Sequence, residues 1–318
     1  MTLVLFICIL MFSLTSAFLY KLAWNLSPIK NQTATGFGVL LVFFIIIYTF
    51  YLHGPIFEIL IFSIIGIFSL IYWLDDISYL SSIFRFILQF TCGSLIAISF
   101  FISNNYELSF SIIIFIVVSG LINIFLSNTI NFYDGLDLNI STLNIILALI
   151  LVFLLDTNIL EIQYGVILCG FVIGFSFFNF KPENIFYGDS GCFVIACYVN
   201  YLIIKSIFLE NYNAVYLLIP FALPIIDVIY VVILRIWKKE SLLSRNYYHL
   251  YHQIQLKINN KIYILPQVIN AAALYVISVI IFDDEVNKLH EIYMFLAMSI
   301  LFTIVLYILL KIIINKLI

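Results

Sequence analysis

The sequence predicts an all-α integral membrane protein, a polytopic bundle of about eleven transmembrane helices (ten or eleven) with its N-terminus outside. The 318 residues are 64% hydrophobic and 10% charged, with a mean hydropathy of +1.18. Soluble domains average about 45–50% apolar and about 25% charged residues. Apolar runs recur at roughly the 20 residues that a helix needs to cross the hydrocarbon core. Most lysine and arginine residues lie in every second loop between the spans.

The candidate spans follow one another without a defensible internal repeat. Each must be helical, because backbone groups in lipid can pair only within a helix or a closed barrel. The first span has no basic residue before it, so we expect a retained helix and not a signal peptide. The predicted spans are 2–20, 37–53, 56–73, 83–102, 109–126, 140–156, 163–180, 191–209, 214–236, 266–283 and 291–312.

Basic residues set the predicted orientation. Only Lys205 and Lys288 fall on one side of the spans, and the other basic residues fall on the opposite side. Loops rich in lysine and arginine stay in the cytoplasm, which places the N-terminus outside. The cytoplasmic set is Lys21, Lys30, Arg85, Lys181, Arg235, Lys238, Lys239, Arg245, Lys257, Lys261, Lys311 and Lys316.

Acidic residues divide between the same two sides. Those on the outer side are predicted to be solvated loop residues: Glu107, Asp156, Glu161, Glu210, Asp283, Asp284 and Glu285. Those on the inner side lie at span ends, where costly charge near the membrane indicates function. The five cysteines form no CxxC pair, so no disulfide frame or zinc site is expected. No nucleic-acid motif is present, and no nucleic-acid partner is predicted.

The stretch "YWLDDISYL" (72–80) ends one span with Asp75 and Asp76 side by side. Adjacent carboxylates raise each other's pKa or attract a cation. Arg85 begins the next span, so a local ion pair at the helix end is the simpler alternative.

The stretch "SNTINFYDGLDLN" (127–139) repeats polar residues at every third position: Asn128, Asn131 and Asp134. On a helix these lie near one face, and Gly135 is expected to end the helix and redirect Asp137. Their oxygens suit Mg²⁺ shared with substrate phosphates. An Asn/Asp-rich turn is the alternative.

Two later segments add anion-binding chemistry on the same side. Residues 188–191, "GDSG", precede a span, so they predict a helix N-terminus that binds phosphate while Asp189 holds the metal; an N-cap aspartate is the alternative. The long loop after the Pro224-x-x-Asp227 helix contributes Arg245, His249 and His252. Arginine binds phosphate well, and histidine titrates near neutrality. A metal-dependent site for a phosphorylated substrate is therefore predicted.

In these motifs the chain resembles the polyprenyl-phosphate N-acetylhexosamine-1-phosphate transferases, glycosyltransferase family 4. The resemblance runs in order from about residue 28 to 254. It comprises the early Gly36-x-Gly38, the Asp-Asp pair, Asn-x-x-Asn-x-x-Asp-Gly-x-Asp, Phe186-x-Gly-Asp-x-Gly191 and the His-rich loop.

The resemblance implies one transmembrane catalytic domain over 1–318, with cytoplasmic active-site loops near 21–36, 74–85, 127–139, 180–191 and 237–265. It implies Mg²⁺ (or Mn²⁺) as cofactor, and UDP-N-acetylhexosamine and polyprenyl phosphate as substrates. The products would be polyprenyl-diphosphate-sugar and UMP, at the inner membrane, in the initiating step of O-antigen or other cell-envelope glycan synthesis. A homodimer is compatible with it.

The resemblance also implies roles for individual residues. Catalytic roles fall to Asp75, Asp76, Asp134 and Asp137. The metal ligands would be Asp189 and Asn131. Substrate binding falls to Asn128, Arg85, Gly36, Gly38, Asp227, Arg245, His249 and His252.

Two departures from the family pattern affect the sugar. Leu138 replaces the usual Gly, and Tyr251 stands where antigen-initiating enzymes carry another His. The Tyr-containing loop looks more like the N-acetylfucosamine or N-acetylquinovosamine branch, and a phospho-N-acetylmuramoyl-pentapeptide transferase is the alternative within the superfamily.

A cation-coupled transporter would place its acids near the midplane, often with internal repeats. A CDP-alcohol phosphatidyltransferase would need Ala-Arg within its Asp-Gly motif. A structural role without catalysis would survive loss of Asp189.

Overall fold

The computed structural model describes residues 2–26, 33–78, 80–155, 159–180, 185–209, 214–241, 246–258, 261–282 and 289–316. Almost all of these residues are helical. Within the described ranges, the only β-type pairing is an isolated parallel bridge between Ala34 and Ile185. The all-α prediction is confirmed.

Twelve α-helices lie in the described ranges. They are α1 Thr2–Leu26, α2 Leu40–Tyr51, α3 Ile56–Ile77, α4 Ser82–Ser103, α5 Phe110–Tyr133, α6 Asn139–Phe153, α7 Ile159–Asn179, α8 Gly188–Leu209, α9 Leu218–Trp237, α10 Leu250–Ile258, α11 Leu265–Ile281 and α12 Leu289–Lys316. Single 3₁₀ turns precede α2, α9 and α11: Phe37–Val39, Ala214–Leu217 and Lys261–Ile264.

Nine of the described helices are long and apolar enough to cross a membrane, and the two shorter apolar helices are Phe37–Tyr51 and Asn139–Phe153. Every predicted span corresponds to one of these helices, and the chain is a polytopic membrane helical bundle. Because the two short helices fall below the usual spanning length of about 20 residues, the count of eleven stays a prediction. The outside position of the N-terminus also stays one.

Two helices extend beyond the predicted spans at the end that carries the acidic motifs. Helix α3 continues to Ile77 and α5 to Tyr133, so Asp75, Asp76 and Asn131 are helical residues. Hydropathy marks where an apolar run stops, whereas a helix continues until its backbone bonds end. Helix α10 was not predicted within the 237–265 loop. Its buried residues Leu250 and Ile254 pack in a small apolar cluster with α9 and α12 residues.

Helix α8 is the most deeply buried of the long apolar helices. It packs against α3, α4 and α5, while α7 packs against α1 and α6, and α9 against α11 and α12. This arrangement brings the C-terminal ends of α3 and α5 to the N-terminal end of α8. The acidic motifs lie on those three helix ends, so the packing of the bundle brings them together.

Two glycine-containing segments hold the start of α8 in place. Gly36 and Gly188 both have left-handed backbone, at φ +87° and +84°. A Cβ on Gly188 would lie 2.3 Å from the Gly36 nitrogen, so the close approach of the two segments leaves no room for a side chain there. Gly38 N donates to the Tyr187 carbonyl at 2.9 Å, which ties the segments together.

The opposite end of the bundle contains a buried ion cluster that the sequence did not predict. Lys205 Nζ lies 2.8 Å from Glu58 Oε1 and also pairs with Glu161. All three side chains are buried. We call these residues, with Tyr164, Tyr201 and Thr49, the opposite-end cluster.

The prediction that Glu161 is a solvated loop acid is therefore wrong, because α7 begins before it and turns it towards Lys205. Glu107 is exposed, as predicted. The remaining predicted outer acids and Lys288 lie outside the described residues.

Candidate active site

The candidate site is centred on Arg85, at the start of α4. Its Nε lies 2.8 Å from Asp75 Oδ2, and its Nη1 donates to Asp189 Oδ2 at 3.0 Å. The Asp75 side chain is 1% exposed, whereas those of Arg85 and Asp189 are each 28% exposed. Arg85 thus links the buried carboxylate of Asp75 to the accessible carboxylate of Asp189. The partly exposed Arg85 and Asp189 side chains can contact a ligand.

Local hydrogen bonds fix Asp75 and Arg85. Asp75 Oδ1 accepts from Leu80 N at 2.5 Å, which closes the turn between α3 and α4. Tyr72 Oη donates to the Arg85 carbonyl at 3.0 Å. The local ion pair between Asp75 and Arg85, given above as the simpler alternative for residues 72–80, is present. It forms one side of a larger cluster.

Asp76 and Asp134 bind the N-terminal end of α8. Asp76 accepts from Asp189 N at 2.9 Å and from Ser190 N at 3.2 Å and Oγ at 2.6 Å. Asp134 Oδ2 accepts from Gly188 N at 2.7 Å. Carboxylates favour helix N-termini, where free N–H groups and the helix dipole attract negative charge. The N–H groups of residues 188–190 donate to these carboxylates, so phosphate binding at this helix end stays a prediction.

Burial raises the pKa of Asp134 well above its ordinary value. The Gly188 N–H opposes this rise in pKa, and the charges of Asp189 and Asp76 add to it. Its Oδ1 atom is buried and has no hydrogen-bond partner among the described residues. The ionised form of this buried carboxyl group is therefore only partly stabilised by hydrogen bonds within the site.

The predicted metal ligands are neighbours, since the Asn131 side chain lies close enough to Asp189 to interact with its carboxylate. Among the described residues, no three His, Cys, Asp or Glu side chains converge to form a metal site. Mg²⁺ often takes one or two protein carboxylates and completes its shell with water and substrate phosphates. The two adjacent oxygen-bearing side chains fit that pattern and do not fit a cage built by protein alone.

The His-rich loop reaches the same end of the bundle. The ring of His252 lies against Gly135, where an added Cβ would be 3.5 Å from His252 Nε2. Tyr251 donates its hydroxyl to the carbonyl of Phe132 in the last turn of α5. His249 Nδ1 lies 2.9 Å from Asp227 Oδ2. The loop is therefore packed against the turn that carries Asp134.

Three predicted site residues have other partners. Asn128 donates to Gln89 Oε1 at 3.0 Å. Asp137 pairs with Lys261 at 3.1 Å. Asp227 is fully buried.

Gly36 and Gly38 have a packing reason for being glycine, and Arg245 lies outside the described residues. Substrate contact by all of these stays a prediction.

Sequence reasoning missed two residues that contact the site. Ser190 lies within the "GDSG" motif, and its hydroxyl bond to Asp76 could have been suspected there. Lys261 was counted only as an orientation signal, yet it donates to Asp137 and to the Phe180 carbonyl. No local pattern distinguishes such a lysine from any other in a cytoplasmic loop.

Comparison with known proteins finds a family match and two similar chains. Residues 56–207 match the family described as Glycosyl transferase family 4. The Phospho-N-acetylmuramoyl-pentapeptide-transferase of Aliarcobacter butzleri (strain RM4018) is 32% identical over 233 residues, covering 59% of this chain and 64% of that protein. The Probable undecaprenyl-phosphate N-acetylglucosaminyl 1-phosphate transferase of Bacillus subtilis (strain 168) is 28% identical over 133 residues, covering 41% and 37%.

The chain thus matches less than two thirds of the length of either relative. The family match nevertheless contains the whole α3–α8 cluster around Arg85, including Asp75, Asp76, Asp134 and Asp189. Residues 56–207 therefore match glycosyl transferase family 4, the family that the motifs of the sequence resemble.

Proposed function

We propose that this protein transfers a sugar-1-phosphate from a UDP-N-acetylhexosamine to polyprenyl phosphate. An oxygen of the lipid phosphate attacks the β-phosphorus of the nucleotide sugar. The bond from that phosphorus to the bridging oxygen breaks, and UMP leaves with that oxygen. The other product is polyprenyl-diphosphate-sugar.

The accessible Arg85–Asp189 pair at one end of an apolar helical bundle carries this proposal. Phosphoryl transfer needs mainly positioning and neutralisation of charge, which an arginine and a metal supply. A lipid phosphate can arrive from the membrane beside the bundle end, and a nucleotide sugar from the aqueous phase. Acids at helix ends suit this reaction better than cation-coupled transport, which typically uses sites near the midplane.

The contacts within the site suggest which residues bind substrate and which position them. Arg85 would hold the diphosphate, and Asp75, almost fully buried, would hold Arg85 in place. Asp76 and Asp134 would position the start of α8, which carries Asp189. These bonds favour positioning over proton removal for Asp75 and Asp76.

Asp189 and Asn131 would hold Mg²⁺ or Mn²⁺, which when bound neutralises diphosphate charge. Arg245, His249 and His252 would hold the nucleotide sugar, and Asp137 would shape its nucleotide side together with Lys261.

We place this reaction at the cytoplasmic face of the inner membrane, where it would start O-antigen or another cell-envelope glycan. The Tyr251-containing loop favours a 6-deoxy donor such as UDP-N-acetylfucosamine or UDP-N-acetylquinovosamine. The 32% identity to a protein named phospho-N-acetylmuramoyl-pentapeptide-transferase favours UDP-N-acetylmuramoyl-pentapeptide as a second donor to test.

The test measures UMP release by purified protein with undecaprenyl phosphate, Mg²⁺ and each of these donors. Asp189→Asn is assayed in parallel, with Glu107→Gln as the matched control because Glu107 is an exposed carboxylate at the opposite end. We expect metal-dependent release with one donor, lost in Asp189→Asn and kept in Glu107→Gln.

Folded protein that neither releases UMP nor binds any of the UDP-sugars would contradict the proposal. UMP release that Asp189→Asn leaves unchanged would contradict the assigned site. Release in detergent, without a closed compartment, would also separate the enzyme from a transporter.

A further inference from the structure

The last helix, α12, holds the His-rich segment 246–258 by side-chain contacts. Lys311 Nζ donates to the Tyr248 carbonyl and to Gln253 Oε1, both at 2.9 Å. In the opposite direction, Lys257 Nζ donates to the Ile314 carbonyl at 2.6 Å. None of these α12 residues belongs to the predicted site, yet together they fix the segment that carries His249.

Tyr307 of α12 contacts Asp227, the carboxylate that faces the imidazole of His249. Its hydroxyl donates to Asp227 Oδ1 at 2.9 Å, and Leu250 N donates to the same oxygen at 3.0 Å. The other oxygen of Asp227 faces His249 Nδ1 at 2.9 Å. All three donor groups are buried. Asp227 is thus held by α12 and by the first residue of α10 while it contacts the ring.

This arrangement determines which nitrogen of His249 is available. A carboxylate only accepts hydrogen bonds, so Nδ1 carries the proton that faces Asp227. Nε2 is then the nitrogen left for another group, in the way that carboxylates fix the tautomer of metal-bound and catalytic histidines. Tyr307, by donating to Asp227, limits the rotation of that carboxylate and therefore of the ring.

Aromatic contacts link the same ring to the candidate site. The ring centroid of His249 lies 5.2 Å from that of Phe132 in α5 and 5.6 Å from that of Tyr251. Phe132 is two residues before Asp134. A change in the orientation of His249 would therefore be transmitted to the end of α5 that binds Gly188.

We propose that Tyr307 is a positioning residue: through Asp227 it fixes the orientation and tautomer of His249 for binding of the nucleotide-sugar diphosphate. The expected effect of Tyr307 on UMP release rests on the proposed function. The geometry of the three side chains is independent of which sugar is used.

The test is Tyr307→Phe, which removes the hydroxyl and keeps the ring. We expect kcat/KM for UMP release to fall about tenfold, the loss typical of one hydrogen bond to a charged group. The fall should appear mainly in KM. In a His249→Gln background the same substitution should cause no further loss, because both changes act on one group. Tyr230→Phe is the control, since the Tyr230 ring packs at 5.3 Å from Tyr307 and is partly exposed.

A second readout does not depend on activity. The chain has four histidines, so the ring signals of ¹⁵N-histidine-labelled protein can be assigned by substituting His249. In Tyr307→Phe we expect the His249 ring-nitrogen signals to move, with the unfolding temperature close to that of the parent. Asp227→Asn should move the same signals further, which provides a second variant if Tyr307→Phe folds poorly.

The two proposals fail in different ways. If the parent protein releases no UMP with any donor, the proposed function fails while the ring signals still test the Tyr307–Asp227–His249 link. Unchanged His249 signals in both variants, or a tenfold loss that persists in the His249→Gln background, would overturn the positioning role.

Discussion

Buried carboxylates occur at both ends of the bundle, but the two groups are neutralised differently. At the site end, Arg85 pairs with Asp75 and Asp189, while Asp76 and Asp134 bind the backbone at the start of α8, beside Asp189. At the opposite end, Glu58 and Glu161 share Lys205. Among the described residues, the site end therefore has four carboxyl groups near one arginine, and the opposite end has two near one lysine.

Hydroxyl donors increase this difference. Glu58 accepts from Tyr164 at 2.9 Å and from Tyr201 at 3.2 Å, in addition to Lys205. Tyr164 is in turn 2.7 Å from Thr49 Oγ1. A buried charge with this many partners supports the fold, whereas crowded, partly accessible carboxylates reduce stability and are typical of function. The comparison predicts that substitutions at the two ends affect different properties.

Asp189→Asn should have the largest effect on activity. The amide cannot replace the charge that holds a metal and pairs with Arg85, so UMP release should fall by about 10³-fold. The unfolding temperature should stay the same or rise, because one of four neighbouring carboxylates is neutralised. Activity and thermal unfolding in detergent are measured on the same preparation. A variant that unfolds well below the parent would show that Asp189 mainly supports the fold.

Lys205→Met should have the reverse effect. It leaves Glu58 and Glu161 buried without their ammonium partner, at a cost of about 3–5 kcal/mol in the free energy of unfolding. UMP release per folded molecule should be unchanged, because α8 carries Lys205 far from Asp189. Lys316→Met, at an exposed lysine, controls for loss of a positive charge. An active-site defect at full stability would remove the contrast between the two ends.

Tyr164→Phe should sharpen the comparison with a smaller effect. Its hydroxyl bond to Glu58 is one of three donors, so its loss should lower the free energy of unfolding by about 2 kcal/mol. Tyr106→Phe is the matched control, because Tyr106 donates to the Phe208 carbonyl on the exposed side of the same bundle end. If the two variants are equally stable, Glu58 does not depend on Tyr164.

The sequence predicted the helices far better than the contacts between them. Span positions follow from local apolar runs, and each predicted span has its helix. The Asp75–Arg85 pair was also foreseeable, since the two residues flank one short turn. The Arg85–Asp189 contact was not, because it depends on which helices are neighbours in the bundle.

The same reason explains the error at Glu161. An acid at the start of a helix looks the same in sequence whether it faces water or a lysine 44 residues away in the chain. The orientation rule treats charges singly and so counted Lys205 as a side marker. Tyr307 carried no signal at all, since one tyrosine among 21 in an apolar chain has no distinguishing pattern.

Left-handed backbone provides the last and smallest contrast between the two ends. At the opposite end it occurs at His53 and Asn105, residue types that tolerate it. At the site end it occurs at Lys239 and at Leu138, whose φ is +61° just before α6, where the family pattern usually has Gly. A leucine there costs about 1–2 kcal/mol in backbone conformation. Its N–H still donates to Asn179 Oδ1 at 2.5 Å, which holds the turn in place.

Leu138→Gly and Leu138→Ala both remove the half-buried side chain, so their difference isolates the backbone term. We expect the glycine variant to be more stable than the alanine variant by about 1 kcal/mol, because glycine adopts positive φ without a Cβ clash. Thermal unfolding of both, alongside the parent, measures this. Equal stability would show that the turn relaxes around Cβ. Faster UMP release by the glycine variant would instead show that the Leu138 turn restrains the end of the bundle that carries Asp134.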